Sequence, residues 1–323
     1  MRAITYSHYG PPEVLQLSEV AKPTPKDDEV LIRVRAVEVT KADCEMRSFR
    51  FAVSWFWLPL RLALGIRKPR RQILGGYFSG EVASLGKDVT QYHVGDQVFG
   101  AAGLRFGAYG EYVALPASST IIRKPHNMTF EEAAAVPLGG LNALHFMRLA
   151  AIQAGDNVLI NGAGGSIGSH AIQIAKSMGA EVTVVDSGIK EDMLRRLGAD
   201  HFIDYMKDDF SAAGRTYDVI FDMVASSSYA ACIKALNSNG RYLSANPRLS
   251  LMLRSVFTTR YSDKTVRFAF AQEREDELIS LKEMIESKEI KSIVDRCYPL
   301  EQMAEAHRYV DKGHKKGNVV III

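Results

Sequence analysis

Cysteine is scarce in this sequence, and the cysteines are far apart. The 323 residues include three, at Cys44, Cys232 and Cys297. An odd number of widely separated cysteines does not suit a disulfide framework, and a Cys-rich structural metal site needs four closely spaced ligands. The composition therefore predicts reduced thiols and a cytoplasmic protein.

An excess of one charge and a long apolar run are missing too. Forty Lys and Arg against 37 Asp and Glu leave a formal net charge of +3, which is too small to indicate nucleic-acid binding. The N-terminus has no sustained apolar core of the kind found in signal peptides. We expect no nucleic-acid partner.

The most apolar segment, residues 51–66, contains Pro59 and Arg61. It is shorter than the roughly 20 apolar residues that a spanning helix needs, so no transmembrane segment is predicted. Two interpretations stay open. The segment forms a flap over an active site, or, with the basic residues that follow it up to position 71, it contacts an anionic membrane surface.

Two textures divide the chain. Residues 29–37, 80–84, 97–99 and 111–115 are β-branched runs separated by Gly and Pro, which predicts a β-rich region. Thr129, followed by Glu132, then has the spacing of a helix capping box and predicts a helix over 131–150.

After that helix, predicted strands alternate with amphipathic helices, a pattern that indicates a parallel, doubly wound sheet. The strands fall at 157–161, 181–185, 201–204, 218–222, 241–244 and 265–270, and the helices at 166–178, 191–197 and 227–236. The tail adds helices near 273–287 and 300–312 and a buried or paired strand over 318–323.

A glycine-rich turn follows the first strand of the alternating region. Residues 162–168 have the sequence GAGGSIG and open an apolar-periodic helix. Glycines at such a turn let the backbone approach a diphosphate, whose charge is met by the amides at the helix N-terminus. We therefore predict a dinucleotide site.

The residues at the end of the second strand give conflicting signals about the nucleotide. Asp186 would accept a hydrogen bond from an adenosine ribose hydroxyl and favour NAD. Lys190, Arg195 and Arg196 follow closely, and a cation there favours the extra phosphate of NADP.

Several motifs together resemble the medium-chain dehydrogenase/reductase superfamily, in particular its zinc-free, quinone oxidoreductase-like branch. The resemblance runs nearly end to end. It includes GPPEVL at 10–15, VGDQVFG at 94–100, FGAYGEY at 106–112, AAAVP at 133–137, the glycine turn, LGAD at 197–200, IDY at 203–205 and GHKKGNVV at 313–320.

The resemblance implies an α/β fold in which a Rossmann domain is inserted into a GroES-like, β-rich catalytic domain. We expect residues 1–123 and 272–323 to form the catalytic domain and residues 124–271 to form the dinucleotide-binding domain. The cofactor would lie in the cleft between the two domains. A homodimer through the edge of the cofactor-domain sheet is a further expectation, because such dimers are common in the superfamily.

The same resemblance assigns cofactor contacts. Lys190 and Tyr205 match a Lys and a Tyr that hold the adenosine phosphate, with Ser187 at the position of a small polar residue, so NADPH is expected and NADH stays open because of Asp186. The other residues expected to contact the cofactor are Asn142, Gly164, Gly165, Ser166, Ile167, Gly168, Val224, Phe268, Phe270 and Asn318.

The zinc ligands of related alcohol dehydrogenases have no counterparts here. By the resemblance, Thr40 stands where a ligand Cys would be, and residues 75–77 (GGY) stand where Gly-His-Glu would be. A catalytic zinc needs about three protein ligands, so we expect no metal. Cys44 lies beyond the ligand position and is interpreted as a packing thiol.

Catalytic candidates follow from the substrate-facing segment 40–47. Thr40 either donates a hydrogen bond to a developing oxyanion or only caps a helix. Asp43 is expected to orient Lys41 or Arg47, and Tyr77 is a hypothetical proton donor with core packing as the alternative. Trp55, Phe56 and Trp57 would close a pocket for a bulky, apolar substrate.

Together these expectations predict an NADPH-dependent oxidoreductase that transfers hydride to a quinone or an α,β-unsaturated carbonyl compound, because without a metal an already electrophilic acceptor is favoured. The alternatives are a non-catalytic, NADPH-binding regulatory or crystallin-like protein and a zinc-free alcohol dehydrogenase.

Overall fold

The computed structural model describes residues 1–51, 57–212, 214–246, 248–269 and 271–323. The predictions for Trp55, Phe56 and Phe270 fall outside these ranges. The described chain forms two large sheets, one of seven strands and one of six, and a separate two-stranded sheet.

The first part of the chain is β-rich, as predicted. Its longest strand has the sequence EVLIRVRAVE, and most of its residues are buried, as expected for a strand with neighbours on both sides. The strands are Arg2–Thr5 (β1), Gln16–Glu19 (β2), Glu29–Glu38 (β3), Tyr77–Leu85 (β4), Gln97–Ala101 (β5), Tyr112–Pro116 (β6) and Ile121–Arg123 (β7). Two helices lie between β3 and β4, at Lys41–Ser48 (α1) and Trp57–Leu64 (α2).

The helix predicted over 131–150 is wrong in one respect: it is two helices. Phe130–Ala134 (α3) begins at the Thr129 capping box, in which Thr129 accepts from the Glu132 amide. Pro137–Ala150 (α4) then begins afresh. Proline has no backbone N–H, so it can open a helix but cannot continue the hydrogen bonds of the helix before it.

The alternating region folds into the predicted parallel sheet. Its strands are Asn157–Asn161 (β8), Glu181–Asp186 (β9), His201–Asp204 (β10), Tyr217–Asp222 (β11), Leu236–Ser244 (β12) and Thr265–Phe268 (β13). Its helices are Ser166–Ser177 (α5), Glu191–Arg196 (α6), Tyr229–Lys234 (α7) and Leu249–Tyr261 (α8). The strand order is β10-β9-β8-β11-β12-β13, so the connections reverse direction beside β8, and such a reversal opens a crevice at the carboxyl ends of the strands.

The tail returns to the first sheet. It contains Glu275–Glu286 (α9), Val294–Pro299 (β14), Met303–Asp311 (α10) and Asn318–Ile322 (β15). β15 is a paired strand, as predicted: it lies parallel to β14 on one side and antiparallel to β3 on the other. Both ends of the chain therefore contribute to one sheet. In the described ranges, no helix is long and apolar enough to cross a membrane.

Candidate active site and its relatives

The predicted glycine turn joins β8 to α5. Gly162 has a φ of +87°, a backbone conformation that favours glycine. Gly168 packs so closely on the turn that a Cβ there would lie 2.5 Å from the Ala163 Cα. The turn is therefore tight, and the unpaired amides of the first turn of α5 follow it directly.

A cavity of about 740 Å³ opens beside this turn. It is lined by residues at the carboxyl ends of three parallel strands, including Asn161 from β8, Asp186 from β9 and Val224 just after β11. Tyr205, which is exposed, lines its outer wall. This is the crevice at which open α/β sheets bind dinucleotides.

Asp186, which lines this cavity, pairs with Lys190. The Lys190 Nζ lies 2.9 Å from the Asp186 Oδ1, and both side chains are buried. The Asp186 Oδ2 accepts from the Gly164 amide at 2.6 Å, and its Oδ1 accepts from the Ser187 amide at 2.8 Å. The two opposing signals in the sequence are thus one ion pair in the structure.

The other predicted cofactor residues lie on three different elements. Asn142 is on α4 and donates to the Leu138 carbonyl at 2.9 Å, and Phe268 ends β13. Asn318 begins β15, is fully buried and donates to the Ile293 carbonyl at 2.9 Å. Its Oδ1 has no hydrogen-bond partner among the residues that the structure describes.

A second cavity, of about 340 Å³, contains all three catalytic candidates. Thr40 and Asp43 from the start of α1 meet Tyr77 from the start of β4 there. The apolar walls come from Met46, Leu104 and Phe106. The cavity is small, apolar and provided with a few polar groups, which is the usual character of a substrate site.

Thr40 caps α1 and is bound tightly to Asp43. The Thr40 hydroxyl donates to the Asp43 Oδ2 at 2.6 Å. The Thr40 hydroxyl oxygen also accepts a hydrogen bond from the Asp43 amide at 3.0 Å. Burial raises the pKa of the Asp43 carboxyl, although the hydrogen bonds from Thr40 oppose that shift. Capping is therefore observed, and oxyanion binding by Thr40 stays a prediction.

The interpretation of Asp43 as the partner of Lys41 or Arg47 is wrong. Both cations pair with Asp311 of α10, Arg47 at 2.8 Å and Lys41 at 3.5 Å. Arg47 lies one turn after Asp43 on α1, but its guanidinium reaches Asp311 and His307 of α10. The Asp43 carboxylate instead accepts from the Thr40 hydroxyl and the Gly75 amide.

Glu273 is a site residue that the sequence did not single out. It lines the second cavity beside Tyr77, and the two side chains share a hydrogen bond. Burial, followed by the nearby Glu273, raises the pKa of Tyr77 well above its usual range. Burial also raises the pKa of Glu273. In the sequence, Glu273 looked like one more charge at the start of a solvated helix.

A buried chain of hydrogen bonds supports Asp43 from behind. The Arg47 Nη1 donates to the His307 Nδ1 at 3.0 Å, and since a guanidinium only donates, the proton of His307 is on Nε2. That Nε2 donates to the Tyr109 hydroxyl at 3.1 Å, and Tyr109 donates to Asp43. Burial, then Arg47, lowers the pKa of His307 to about 3, so His307 stays neutral and holds this direction.

The described part of the apolar segment, residues 57–66, lies outside the second cavity. Trp57 and Leu58 of α2 are exposed, and Arg61 stacks over the rings of Tyr9 and Phe49. Within the described ranges, the residues that line the second cavity do not include any from 57–66. The prediction that Trp57 closes the substrate pocket is therefore wrong, because α2 packs on the aromatic cluster of Tyr9 and Phe49 instead.

Two family models match the chain. Residues 26–126 match the alcohol dehydrogenase GroES-like domain, and residues 197–321 match the zinc-binding dehydrogenase family. A quinone oxidoreductase of Sus scrofa is 30% identical over 98% of this chain and 95% of its own. An NADPH-dependent alkenal/one oxidoreductase of Arabidopsis thaliana is 30% identical over 99% of this chain and 79% of its own.

The chain belongs to the quinone oxidoreductase-like medium-chain dehydrogenases/reductases. The solved structures agree: the quinone oxidoreductase of Coxiella burnetii matches with a TM-score of 0.87 and 29% identity over 100% of this chain and 99% of its own. As a member of this superfamily, the protein is an NAD(P)H oxidoreductase that binds a nicotinamide cofactor. Its glycine turn and the 740 Å³ crevice fit that group, because a Cβ at Gly165 would meet no protein atom within 4 Å, which leaves room for a ligand beside the backbone.

Zinc, which the name of one matched family mentions, does not fit the donors at the corresponding positions. Thr40 and Tyr77 present a hydroxyl and a phenol, whereas catalytic zinc is bound by Cys, His and carboxylate groups. Across the described ranges, no group of three or more His, Cys, Asp and Glu side chains is placed to hold a metal ion. Cys44 is buried 3.3 Å from the His307 Nδ1.

Proposed function

We propose that this protein reduces quinones or α,β-unsaturated carbonyl compounds with NADPH and without a metal ion. The observation that carries the proposal is the 340 Å³ cavity, in which two hydroxyl groups, of Thr40 and Tyr77, face apolar walls. The relatives named above support the substrate class, since one is a quinone oxidoreductase and another an alkenal/one oxidoreductase.

The chain's own residues would orient the acceptor and handle its charge. When bound, the nicotinamide supplies the hydride. Met46 and Phe106 hold an apolar substrate in place, and the Tyr77 hydroxyl stabilises the oxygen on which negative charge develops. The Thr40 hydroxyl, which donates to Asp43 in the structure, would have to turn from Asp43 to donate to that oxygen. Tyr77 gives its proton to that oxygen while the carboxyl of Glu273 returns one to Tyr77, and solvent reprotonates Glu273.

The preference for NADPH rests on the region around the Asp186–Lys190 pair. Lys190, Ser187 and Tyr205 stand in the pattern that the branch uses for the adenosine phosphate, and Lys207 adds a second cation to the crevice wall. Binding of the phosphate would require Lys190 to exchange Asp186 for it.

The test is consumption of NADPH by the purified protein with a panel of quinones and enones, followed by the loss of NADPH absorbance. We expect turnover with at least one class, and a Tyr77→Phe variant should lower kcat by roughly 10²-fold. Tight NADPH binding without turnover on any acceptor would instead indicate the non-catalytic alternative. Stoichiometric zinc in active protein would contradict the metal-free mechanism.

A further inference from the structure

The segment before β15 lies on the glycine turn. The Gly317 amide donates to the Gly164 carbonyl at 3.0 Å, and Gly165 and Gly317 form a parallel bridge. Gly317 has a φ of +89°, so the chain turns there. Residues 313–317, which come from the tail, therefore border the site that would receive the cofactor diphosphate.

Two lysines bring positive charge to this turn from opposite sides. The Lys190 side chain lies against Gly164. Lys315 is partly exposed as a residue, yet its pKa is lowered by burial and further by the charge of Lys190. Two ammonium groups that repel each other in a poorly solvated place cost free energy unless an anion lies between them.

The carboxyl group that interacts most strongly with Lys315 is that of Glu38. Its Oε1 accepts from the Ser166 hydroxyl at 3.0 Å at the start of α5. Its Oε2 is buried and has no hydrogen-bond partner among the described residues. Attraction between Glu38 and Lys315 is the largest of the interactions that favour the charged forms of the two groups. Among the described residues, Lys315 thus interacts with the charge of Glu38 but forms no direct ion pair within 4.0 Å.

We propose that Lys315 is a ligand of the cofactor diphosphate, held over the glycine turn by Glu38 until the cofactor binds. This inference rests on the proposed function, because it assumes that a nicotinamide dinucleotide occupies the turn. The amides of α5 would bind the diphosphate from one domain, and Lys315 would bind it from the other. Cofactor binding would therefore draw the tail segment, residues 313–317, onto the cofactor. The role of Lys315 differs from that of Lys190, because NADPH and NADH carry the same diphosphate.

The test is isothermal titration calorimetry, in which full-length variants are titrated with NADPH, NADH and ADP-ribose. Lys315→Met keeps the aliphatic stem and removes the charge, and it should weaken binding of all three ligands by about tenfold or more. Lys316→Met is the matched control: this neighbour is exposed, so the change should leave affinity within about twofold. Wild-type affinity of Lys315→Met, or a loss confined to NADPH, would overturn the proposal.

A second variant guards against misfolding. Lys315→Met leaves the buried Glu38 carboxyl without the lysine that favours its charged form, whereas the double variant Glu38→Gln/Lys315→Met removes both titratable groups. If Lys315 binds diphosphate, the double variant folds, as judged by circular dichroism, and still binds ADP-ribose weakly. If the double variant regains full affinity, Lys315 acts only on Glu38 and the proposal is wrong. Normal turnover together with unchanged cofactor binding in Lys315→Met would refute this inference and leave the proposed function intact.

Discussion

Two residues beside the crevice, Asp186 and Lys190, are the ones that we propose discriminate between NADPH and NADH. Asp186 and Lys190 form one buried ion pair, with Asp186 also bound by the Gly164 and Ser187 amides. A carboxylate held by two amides stays in place, whereas a lysine on a flexible stem can turn to a phosphate. Under the proposed function, the charge that selects the cofactor is therefore that of Lys190, whose side chain can move.

Lys190→Met should reduce affinity for NADPH much more than affinity for NADH. A charge-assisted contact to a phosphate contributes about 1.5–3 kcal/mol, so we expect a loss of roughly tenfold or more for NADPH only. The measurement is a fluorescence titration with each nucleotide. Arg195→Met is the control, because Arg195 is exposed and paired with Glu191. Equal losses for both nucleotides would contradict the role of Lys190 at the adenosine phosphate.

Glu38 should make stability depend on pH. Burial raises its pKa from 4.5 to about 8. Between these values the folded protein keeps a proton that the unfolded chain releases, so the free energy of unfolding falls as the pH rises. In the Glu38→Gln variant, the side chain at position 38 is neutral at every pH, so this fall in the free energy of unfolding does not occur.

The melting temperature of Glu38→Gln should therefore match that of the wild type near pH 4.5 and exceed it by a few degrees near pH 8. Differential scanning calorimetry across this range measures the difference. The exposed Glu305→Gln should show no such trend. A melting temperature that is lower than wild type at pH 8 would show that the charged Glu38–Lys315 attraction outweighs the cost of burial.

At the scale of elements, two glycines of the β8–turn–α5 unit, Gly168 and Gly165, have different roles. A Cβ at Gly168 would lie 2.5 Å from the Ala163 Cα, whereas a Cβ at Gly165 would have nothing within 4 Å in the protein. The first glycine lets the helix pack on the turn, and the second leaves room outside it.

Gly168→Ala should destabilise the protein by about 1–3 kcal/mol through overpacking, and Gly165→Ala should leave stability nearly unchanged. Cofactor affinity should fall in both, in Gly165→Ala because the methyl group blocks the approach of the diphosphate to the backbone. Urea denaturation and NADPH titration of the two variants provide the comparison. If Gly165→Ala bound NADPH normally, the turn would not be the diphosphate site.

Elements with a clear period were predictable from the sequence. β8 and β10 begin and end where the pattern put them, and the capping box at Thr129 is present. α8 was not predicted, because its large apolar side chains, such as Leu253, Val256 and Phe257, are exposed rather than packed inward. β14 was missed because its sequence, VDRCYP, has no apolar alternation.

The candidate site was predictable only where local sequence fixes it. Thr40, Asp43 and Tyr77 stand in motifs, and they do share one cavity. Glu273 and His307 come from the tail and reach the site through tertiary packing alone. Their neighbours in the sequence are ordinary helix residues, so no spacing marks them, and only the folded chain shows that His307 orders the hydrogen bonds behind Asp43.

At the scale of the whole molecule, one surface is suited to self-association. β13 is the edge strand of the parallel sheet and pairs with β12 alone among the described strands. α8, which packs on β13, exposes Leu253, Val256 and Phe257. An exposed apolar face beside an open sheet edge marks an interaction surface.

We therefore expect a homodimer through this surface, measured by light scattering after size exclusion. Val256→Asp/Phe257→Asp should give a monomer that remains folded, since both side chains are exposed. Leu58→Asp, on the exposed face of α2, is the control and should leave the dimer intact. The same control variant tests the membrane hypothesis for residues 51–71, because it should lose co-sedimentation with anionic vesicles if that segment binds them.

The position of β15 has a consequence for how the protein is made. This strand pairs with β14 on one side and with β3 on the other, although the whole parallel-sheet region separates it from β3 along the chain. During synthesis on the ribosome, β3 keeps an unpaired edge until β15 has been made, whereas the parallel-sheet region can fold before then. In nascent chains, the parallel-sheet region should therefore become resistant to proteases before the N-terminal strands do. Until β15 is available, we expect the unpaired edge of β3 to be bound by a chaperone.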